Sequence, residues 1–262
     1  MGKRAHAVNR RFSHFQKGGL KMDAKNVLQI GPTTGWLFAQ KIYDLPAHQK
    51  FLKEAGANAV ELVMYLEEEE RQRTSLSGKI DASFVSLHLD DYYPEKSLSN
   101  QALLVKAIFD KHRAVAGVMH PINIPGFFFE ALAALGVSVA IENMDANKPC
   151  GYHPRELWDL MEKHDLGFVL DSQHAFEHDK DMHHAWDLFE MGRTRLRYLH
   201  VSGQSQESIH SLVHKSENAK MIVDFVGKVL SQVKVPIILE GKYTTVSEVK
   251  KEIDFLKQEL GF

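Results

Sequence analysis

Fifteen histidines in a chain of 262 residues are the feature of this sequence that points most directly to chemistry. Imidazole is a common ligand of divalent metals, and it changes charge near neutral pH. Three of these histidines and three carboxylates each close a short apolar run of the kind that forms a β-strand. They are His88, His120, Glu142, Asp171, His200 and Glu240. If these strand ends meet, the six side chains form a site for divalent metal ions.

The carboxylates carry the strongest individual signals. Glu142 and Glu240 follow apolar runs, so their burial would be costly unless they are paired or bind a metal. Asp171 ends a similar run and His174 follows three residues later, which offers an oxygen and an imidazole from one strand and its loop. Mixed carboxylate and imidazole ligands favour zinc, manganese, cobalt or iron, whereas magnesium prefers oxygen alone. Two or more ions fit this pattern if Glu142 and Glu240 bridge a histidine-fed site and a neighbouring one.

The histidines at the strand ends also have a structural interpretation. His88 and His120 could each cap a strand or lie hydrogen-bonded in the core, and Pro121 would explain a rigid turn after His120 without any chemistry. The residues alone leave both interpretations open. A closed structural zinc site is disfavoured, because such sites are usually rich in cysteine and this chain contains only Cys150.

The elements that would position these residues alternate between short β-like runs and longer amphipathic stretches, a pattern typical of βα units around a parallel sheet. The predicted strands are Val27–Gly31, Ala59–Met64, Phe84–His88, Gly117–His120, Val137–Glu142, Gly167–Asp171, Arg197–His200 and Pro236–Glu240. The clearest predicted helices are Leu45–Ala55, Asn100–His112, Pro154–His164, Asn218–Gln232 and Val246–Leu260. Eight units predict an α/β fold, a single (β/α)8 TIM barrel with its active site at the carboxyl ends of the strands. A doubly wound open sheet is the alternative, but the segment after the first strand lacks the glycine spacing of a dinucleotide-binding turn.

The first 21 residues differ from the rest of the chain, because they contain six basic side chains and no acidic one. We predict a flexible basic extension over residues 1–21 and the barrel over residues 22–262. An upstream start site, a basic arm that contacts phosphates and a targeting segment are the interpretations open for the extension.

Composition limits the classes of function. The chain is 44% hydrophobic and 25% charged with a formal net charge of −2, which is typical of a globular enzyme and gives no overall basic field for nucleic acid. The longest charge-free apolar stretch, residues 131–141, is too short to cross a bilayer. A single cysteine fits a reducing compartment, so we expect a cytoplasmic protein.

Several ordered segments resemble the xylose-isomerase-like TIM barrel superfamily, which contains sugar isomerases and epimerases as well as the apurinic endonuclease IV family. The resemblance extends from about Val27 to Leu260. The matching segments are 56–62, 86–88, 119–121, 141–143, 171–176, 199–201 and 239–241, which include Ser86-Leu87-His88, Met119-His120-Pro121 and Asp171-Ser172-Gln173-His174-Ala175-Phe176.

The resemblance implies a shared metal site formed by Glu142, Asp171, His200 and Glu240. In the isomerase and epimerase branch two such glutamates also move the proton at the carbon next to the carbonyl, so Glu142 and Glu240 are the expected catalytic residues. In the endonuclease branch, further ligands would hold a second and a third zinc. The corresponding residues are His88, His120, His174 and His210. One to three divalent ions are therefore expected, with zinc, manganese or cobalt as the first candidates.

Two segments depart from the patterns of these branches. Ser208 stands where the endonuclease pattern has an aspartate two residues before His210, and the residues after His200 lack the aspartate usual in epimerases.

Four other residues are expected to bind substrate. They are Glu61, Asp90, Asn143 and Lys242. Glu61 resembles the glutamate that the superfamily often carries on its second strand, although a carboxylate bonded inside the barrel fits the sequence equally well.

The leading functional hypothesis is a divalent-metal-dependent isomerase or epimerase that acts on a small sugar or sugar phosphate. The alternative is an endonuclease IV-like zinc phosphodiesterase acting on abasic DNA, and only this alternative involves nucleic acid. A catalytically weak barrel that serves as a binding partner is the third hypothesis. Self-association into a homo-oligomer is left open.

Overall fold

The computed structural model describes residues 27–64, 78–89 and 97–262. The strands in these ranges are β1 (Ile30–Pro32), β2 (Ala59–Val63), β3 (Phe84–His88), β4 (Ala116–Met119), β5 (Val139–Glu142), β6 (Gly167–Asp171), β7 (Leu196–Val201) and β8 (Ile237–Leu239). The helices are α1 (Gly35–Ala39), α2 (Leu45–Ala55), α3 (Leu98–His112), α4 (Gly126–Ala134), α5 (Pro154–His164), α6 (Ser172–His178), α7 (His183–Gly192), α8 (Ala219–Gln232) and α9 (Val246–Leu260), with a 3-10 turn at Val213–Lys215. The predicted (β/α)8 barrel is confirmed. Asp90 and the predicted extension 1–21 lie outside the described residues.

The eight parallel strands form one sheet in the order β1-β8-β7-β6-β5-β4-β3-β2, so the barrel closes between β1 and β2. Thr33 forms a parallel bridge with Glu61 there, and the Thr34 N–H donates to the Glu61 carbonyl at 2.8 Å. A Cβ atom on Gly31 would lie 1.7 Å from the Ala59 carbonyl oxygen. Glycine at this position therefore allows the two strands to approach closely enough for closure.

Alternation along the strands separates the barrel interior from the face beneath the helices. Buried side chains that fill the interior include Ala59, Phe84, Val118, Val169, Tyr198 and Ile238. Intervening residues such as Leu87 and Leu199 pack in the outer core. The position two residues after an interior residue faces inward again, nearer the mouth, which places His200 after Tyr198 and Glu240 after Ile238. The period-two pattern thus carries ionisable residues to one end of the barrel.

Local sequence signals explain the helix boundaries. Three helices have the predicted bounds: Leu45–Ala55, Pro154–His164 and Val246–Leu260. Asp44 caps α2 by accepting the Ala47 N–H at 2.8 Å, and Gly56 ends this helix with a φ of 70°. Helix α9 begins with a reciprocal capping box between Thr245 and Glu248. No helix in the described ranges is long and apolar enough to span a membrane.

The strand boundaries differ from the predicted ones by a few residues. β1 begins at Ile30 rather than Val27, because its parallel register with β8 starts with Ile30 opposite Ile237. β4 and β8 each end one residue before the predicted end, so His120 and Glu240 are the first residues of the following loops. Both side chains still lie at the carboxyl end of the barrel.

Candidate metal centre at the barrel mouth

The six residues at the predicted strand ends converge at the mouth of the barrel. Three of them end a strand, one lies one residue before a strand end, and two directly follow a strand. In chain order they are His88, His120, Glu142, Asp171, His200 and Glu240. Glu142, Asp171 and His200 are buried, whereas the other three are partly exposed. The centre therefore has a buried floor and an accessible side.

His200 lies at the middle of this centre. Its Nδ1 is 2.8 Å from Glu142 Oε1 and 3.2 Å from Glu240 Oε1. Its Nε2 points the other way, 3.2 Å from Glu61 Oε2. Glu142, Asp171, His200 and Glu240 each offer one ligand atom, and these four atoms all lie within 4.8 Å of one another. This first cluster has the spacing needed to surround one divalent ion.

A second cluster lies beside the first and shares Glu142 with it. His88 Nε2 and His120 Nε2 are 3.8 Å and 3.7 Å from Glu142 Oε2. The two imidazole rings meet edge to face, with centroids 4.9 Å apart. Potential ligand atoms of these three residues also lie within 4.8 Å of one another. Glu142 therefore belongs to both candidate sites, with one oxygen facing His200 and the other facing His88 and His120.

A third cluster joins Asp171 to His174 and His210. Helix α6 starts directly after Asp171, whose Oδ1 accepts the His174 N–H at 2.7 Å, so the helix start places the imidazole beside the carboxylate. His174 Nδ1 is 2.9 Å from the Asn143 carbonyl oxygen. His210 comes from the loop after β7 and lies 3.1 Å from Ser202 Oγ through its Nδ1. The two histidine rings are 5.2 Å apart.

Two buried carboxylate oxygens give an independent test of whether a cation fits. Within the described residues, Glu142 Oε2 and Asp171 Oδ2 have no hydrogen-bond partner. Buried oxygens of this kind are costly unless a donor or a cation satisfies them. The donor set around them consists of carboxylates and imidazoles, which suits a transition-metal ion such as zinc or manganese. The residues therefore fit the metal that the sequence predicts.

The charges in the centre perturb one another strongly. Burial favours the neutral acid of Glu142, but His200 beside it lowers the pKa of this carboxyl below its ordinary value. Burial opposes a charge on His200, yet the carboxylates of Glu240, Glu142 and Glu61 raise its pKa well above the ordinary value. Burial and the neighbouring carboxylates raise the pKa of Glu240 despite His200. Without a cation, protons thus compensate the crowded negative charge.

The pKa values of two histidines in the second and third clusters are shifted in opposite directions. Burial and the proximity of His88 lower the pKa of His120 to about 4, so its imidazole is neutral at neutral pH. Burial also disfavours charged His174, but Asp171 and Glu142 outweigh this and raise its pKa. A neutral imidazole is the form that binds a metal, so His120 needs no deprotonation before it acts as a ligand.

The residues expected to bind substrate occupy different levels of the barrel. Asn143 brackets Asp171: its side chain accepts the Asp171 N–H at 2.8 Å and donates to the Asp171 carbonyl at 3.0 Å. Glu61 is fully buried beneath His200 and faces the barrel interior. Lys242 is exposed at the rim, with Nζ 6.0 Å from the centre of the Trp36 ring. Of the three among them that the structure describes, only Lys242 is open to solvent.

A pocket beside the centre contains a residue that sequence reasoning missed. The cavity of about 380 Å³ is lined by Trp36, Val63, His88, His210 and Glu240, among others. The Trp36 indole N–H donates to the Glu240 carbonyl at 2.9 Å, which holds the ring as one wall of the pocket. The available signal was a large aromatic side chain in the segment directly after β1, which here forms helix α1, since the segments that follow the strands line the mouth of a barrel.

Comparisons with known proteins agree with the fold. No protein-family model and no curated protein matches the sequence. Among solved structures, a D-tagatose 3-epimerase-like protein has a TM-score of 0.62 at 13% identity, covering 89% of this chain and 97% of that chain. Endonuclease IV from Thermus thermophilus has a TM-score of 0.60 at 15% identity, covering 82% of this chain and 93% of that chain.

A D-psicose 3-epimerase solved in the presence of D-fructose is similar to the same degree. Its TM-score is 0.61 at 11% identity, covering 90% of this chain and 100% of that chain. At identities this low the similarity shows a common fold. The chain therefore has the barrel seen in both groups of proteins that its sequence resembles.

Proposed function

We propose that this protein is a divalent-metal-dependent isomerase or epimerase that acts on a small sugar or sugar phosphate at the barrel mouth. One observation carries the proposal: Glu142 and Glu240 converge on His200 Nδ1, at 2.8 Å and 3.2 Å, and Glu240 also lines the pocket. Two neighbouring carboxylates, one of which lines an accessible pocket, are groups that can move a proton on carbon.

The residues have separate roles in this reaction. Glu142, Asp171, His200 and Glu240 would hold the metal. When bound, the metal polarises the carbonyl and hydroxyl oxygens of the substrate, which makes the neighbouring C–H bond more acidic. One of the two glutamates removes that proton, and a glutamate returns a proton to the same carbon from the other face in an epimerisation, or to the neighbouring carbon in an isomerisation.

The pocket suits a small polyol better than an extended ligand. Its volume of about 380 Å³ falls in the range typical of small-molecule sites. The Trp36 ring offers a flat apolar wall for the C–H face of a sugar, while histidines and Glu240 offer polar contacts. Lys242 near that ring would lie close to a phosphate at the outer end of the substrate.

Solvent deuterium incorporation tests the proposed reaction. Protein purified without chelator and loaded with manganese, cobalt or zinc is incubated in D2O with aldoses, ketoses and their phosphates. We expect deuterium at the carbon next to the carbonyl of at least one sugar, detected by mass spectrometry, and at least ~100-fold slower exchange in E240Q. Glu252, a buried glutamate on α9 outside the mouth, provides the matched control E252Q. No exchange with any sugar or any metal would contradict the proposal.

A zinc phosphodiesterase is the second candidate, because the His88–His120–Glu142 cluster lies next to the first cluster and shares Glu142. Paired metal ions are a common arrangement in nucleases and phosphatases. A duplex with one abasic-site analogue, incubated with zinc-loaded protein, tests this candidate. Strand cleavage by wild type that is lost in H120Q, together with two or more zinc ions per chain, would favour the phosphodiesterase. An uncut duplex at high protein concentration, with one exchangeable ion per chain, would contradict it.

A further inference from the structure

Glu61 lies on β2 directly below the metal centre and is fully buried. Three polar groups approach one of its oxygens. The Tyr198 hydroxyl donates to Oε2 at 2.6 Å and the Ser86 hydroxyl donates at 3.1 Å. His200 Nε2 is 3.2 Å from the same oxygen. The carboxylate is therefore held in place from two other strands while it contacts the central histidine.

The two nitrogens of His200 face different groups. Nε2 faces Glu61, whereas Nδ1 faces the carboxylates of Glu142 and Glu240. A neutral imidazole carries its hydrogen on one nitrogen and a lone pair on the other. When a cation takes the place of the proton between Nδ1 and the carboxylates of the first cluster, the imidazole keeps its hydrogen on Nε2, where Glu61 accepts it, and the lone pair on Nδ1 is directed at that cluster.

We propose that Glu61, held by Tyr198 and Ser86, is a positioning residue that keeps the imidazole hydrogen of His200 on Nε2 and so presents Nδ1 to the metal. This inference rests on the proposed metal site and adds a residue outside its four ligands. A carboxylate behind a ligating histidine fixes the tautomer and ring orientation and increases the basicity of the ligand. Tyr198 and Ser86 already donate to Oε2, so this oxygen faces His200 rather than the first cluster. Glu61 also belongs to a group with His88 and Glu240 whose potential ligand atoms lie within 4.8 Å of one another, and loss of one whole ion in E61Q would assign it a ligand role instead.

A purely structural role accounts less well for this arrangement. Glu61 Oε1 is buried without a hydrogen-bond partner among the described residues. A buried glutamate that only supports the fold has both oxygens satisfied, as Glu252 does with Val213 and His214. Placing a half-satisfied carboxylate next to the histidine that Glu142 and Glu240 also contact is costly for folding. A gain in the free energy of metal binding offsets that folding cost.

Metal affinity of E61Q is the main test, because glutamine keeps the shape of the side chain and removes its charge. We expect zinc affinity of the chelator-stripped protein, measured by competition calorimetry, to fall roughly 10–100-fold with the number of bound ions unchanged. E252Q is the matched control, since Glu252 is equally buried and also contacts a histidine. Its affinity should stay within about two-fold of wild type. Equal affinity in E61Q and wild type, or loss of one whole ion in E61Q, would overturn the inference.

The tautomer of His200 gives a readout that a structural defect would not move. In zinc-loaded wild type, 15N chemical shifts of the His200 ring should show a hydrogen on Nε2 and metal on Nδ1. The opposite assignment would overturn the inference. Y198F serves if E61Q does not fold: it removes one donor from Glu61, and we expect a smaller loss of zinc affinity than in E61Q, whereas wild-type affinity would count against the proposal.

These outcomes separate the inference from the proposed reaction. Weaker zinc binding in E61Q without turnover of any sugar supports the role of Glu61 and contradicts the isomerase proposal. Turnover of a sugar together with unchanged zinc binding in E61Q supports the isomerase proposal and contradicts the role of Glu61. Wild-type protein that binds no divalent ion would contradict both.

Discussion

Glu61 and Glu252 are both fully buried, and each contacts a histidine: His200 at 3.2 Å in the first case and His214 at 2.6 Å in the second. Their surroundings differ. Glu252 also accepts the backbone N–H groups of Val213 and His214, so both of its oxygens are used. Glu61 has one oxygen without a partner in the described part of the chain, and its histidine faces two further carboxylates.

Hydrogen bonding within the fold accounts for the burial of Glu252 but not for that of Glu61. Glu252 on α9 offsets its desolvation cost through hydrogen bonds that anchor the 3-10 turn after β7. The Glu252–His214 pair is therefore accounted for by its role in the fold. The region around Glu61 concentrates carboxylates and imidazoles that packing does not require. Residues that violate the rules of a stable core tend to mark functional sites. Four predictions test this contrast.

The largest effect is expected for Glu142, which belongs to both the first and the second cluster. E142Q should weaken zinc binding by more than ~100-fold, beyond the loss typical of a supporting residue, because both clusters lose a charged ligand. Elemental analysis and competition calorimetry measure this, with E252Q as the control that keeps its metal. Full metal content at wild-type affinity in E142Q would contradict the assignment of this region.

Glu252 should show the opposite profile. E252L leaves the buried N–H groups of Val213 and His214 without an acceptor, so we expect the free energy of unfolding to fall by about 2–3 kcal/mol. Urea unfolding measures the loss, and zinc affinity of the first cluster should be retained. A variant as stable as wild type would mean that this pair does not anchor the turn.

Replacing Glu240 should stabilise the metal-stripped protein by about 1–2 kcal/mol at pH 8, because the crowded mouth resists ionisation of this carboxyl whereas the unfolded chain ionises it freely. Burial and neighbouring carboxylates raise the pKa of Glu240 in the folded state. Ionisation therefore costs stability as the pH rises above the ordinary carboxyl value, and the cost is absent below it. Urea unfolding with chelator at pH 5 and pH 8 should show an advantage of E240Q that increases with pH. An advantage that is constant or decreases with pH would argue against it.

The smallest effect is expected for Glu248, the partly exposed neighbour of Glu252 on α9. The Lys215 ammonium and the Thr244 N–H lower the pKa of this carboxyl to about 2. The stability it contributes is present above the ordinary carboxyl value and is lost as the pH falls towards 2. E248Q should therefore be less stable than wild type by about 0.5–1 kcal/mol at pH 7. Unfolding curves that do not converge between pH 4.5 and pH 2 would show that the charge is unimportant.

Sequence reasoning succeeded where the signal is local. Apolar runs that end in one ionisable residue located the barrel strands to within a few positions, because alternation along a strand depends only on neighbouring residues. The pair formed by Asp171 and His174 is of the same kind, since both belong to one strand end and the helix after it. Short or uniformly apolar helices were not among the clearest predictions: α1 spans only Gly35–Ala39, and α4 begins with three consecutive phenylalanines after its first glycine, which hides its periodicity.

Partners that are distant in the chain could not be found this way. Tyr198 donates to a carboxylate 137 residues away, and Trp36 contacts the Glu240 carbonyl across 204 residues. Neither contact leaves a pattern in its own segment, because both arise only when the sheet closes on itself. The same holds for Glu252 and the turn that it anchors.

The sequence by itself determined the (β/α)8 architecture and the group of ionisable residues directed towards the barrel mouth, since apolar periodicity and strand ends are properties of short segments. The tertiary structure decided the rest: that Glu142 is shared by two clusters, which nitrogen of His200 faces the carboxylates, and which buried oxygens lack partners. These features depend on strand register and on closure at Gly31, which bring atoms from different segments within a few ångströms.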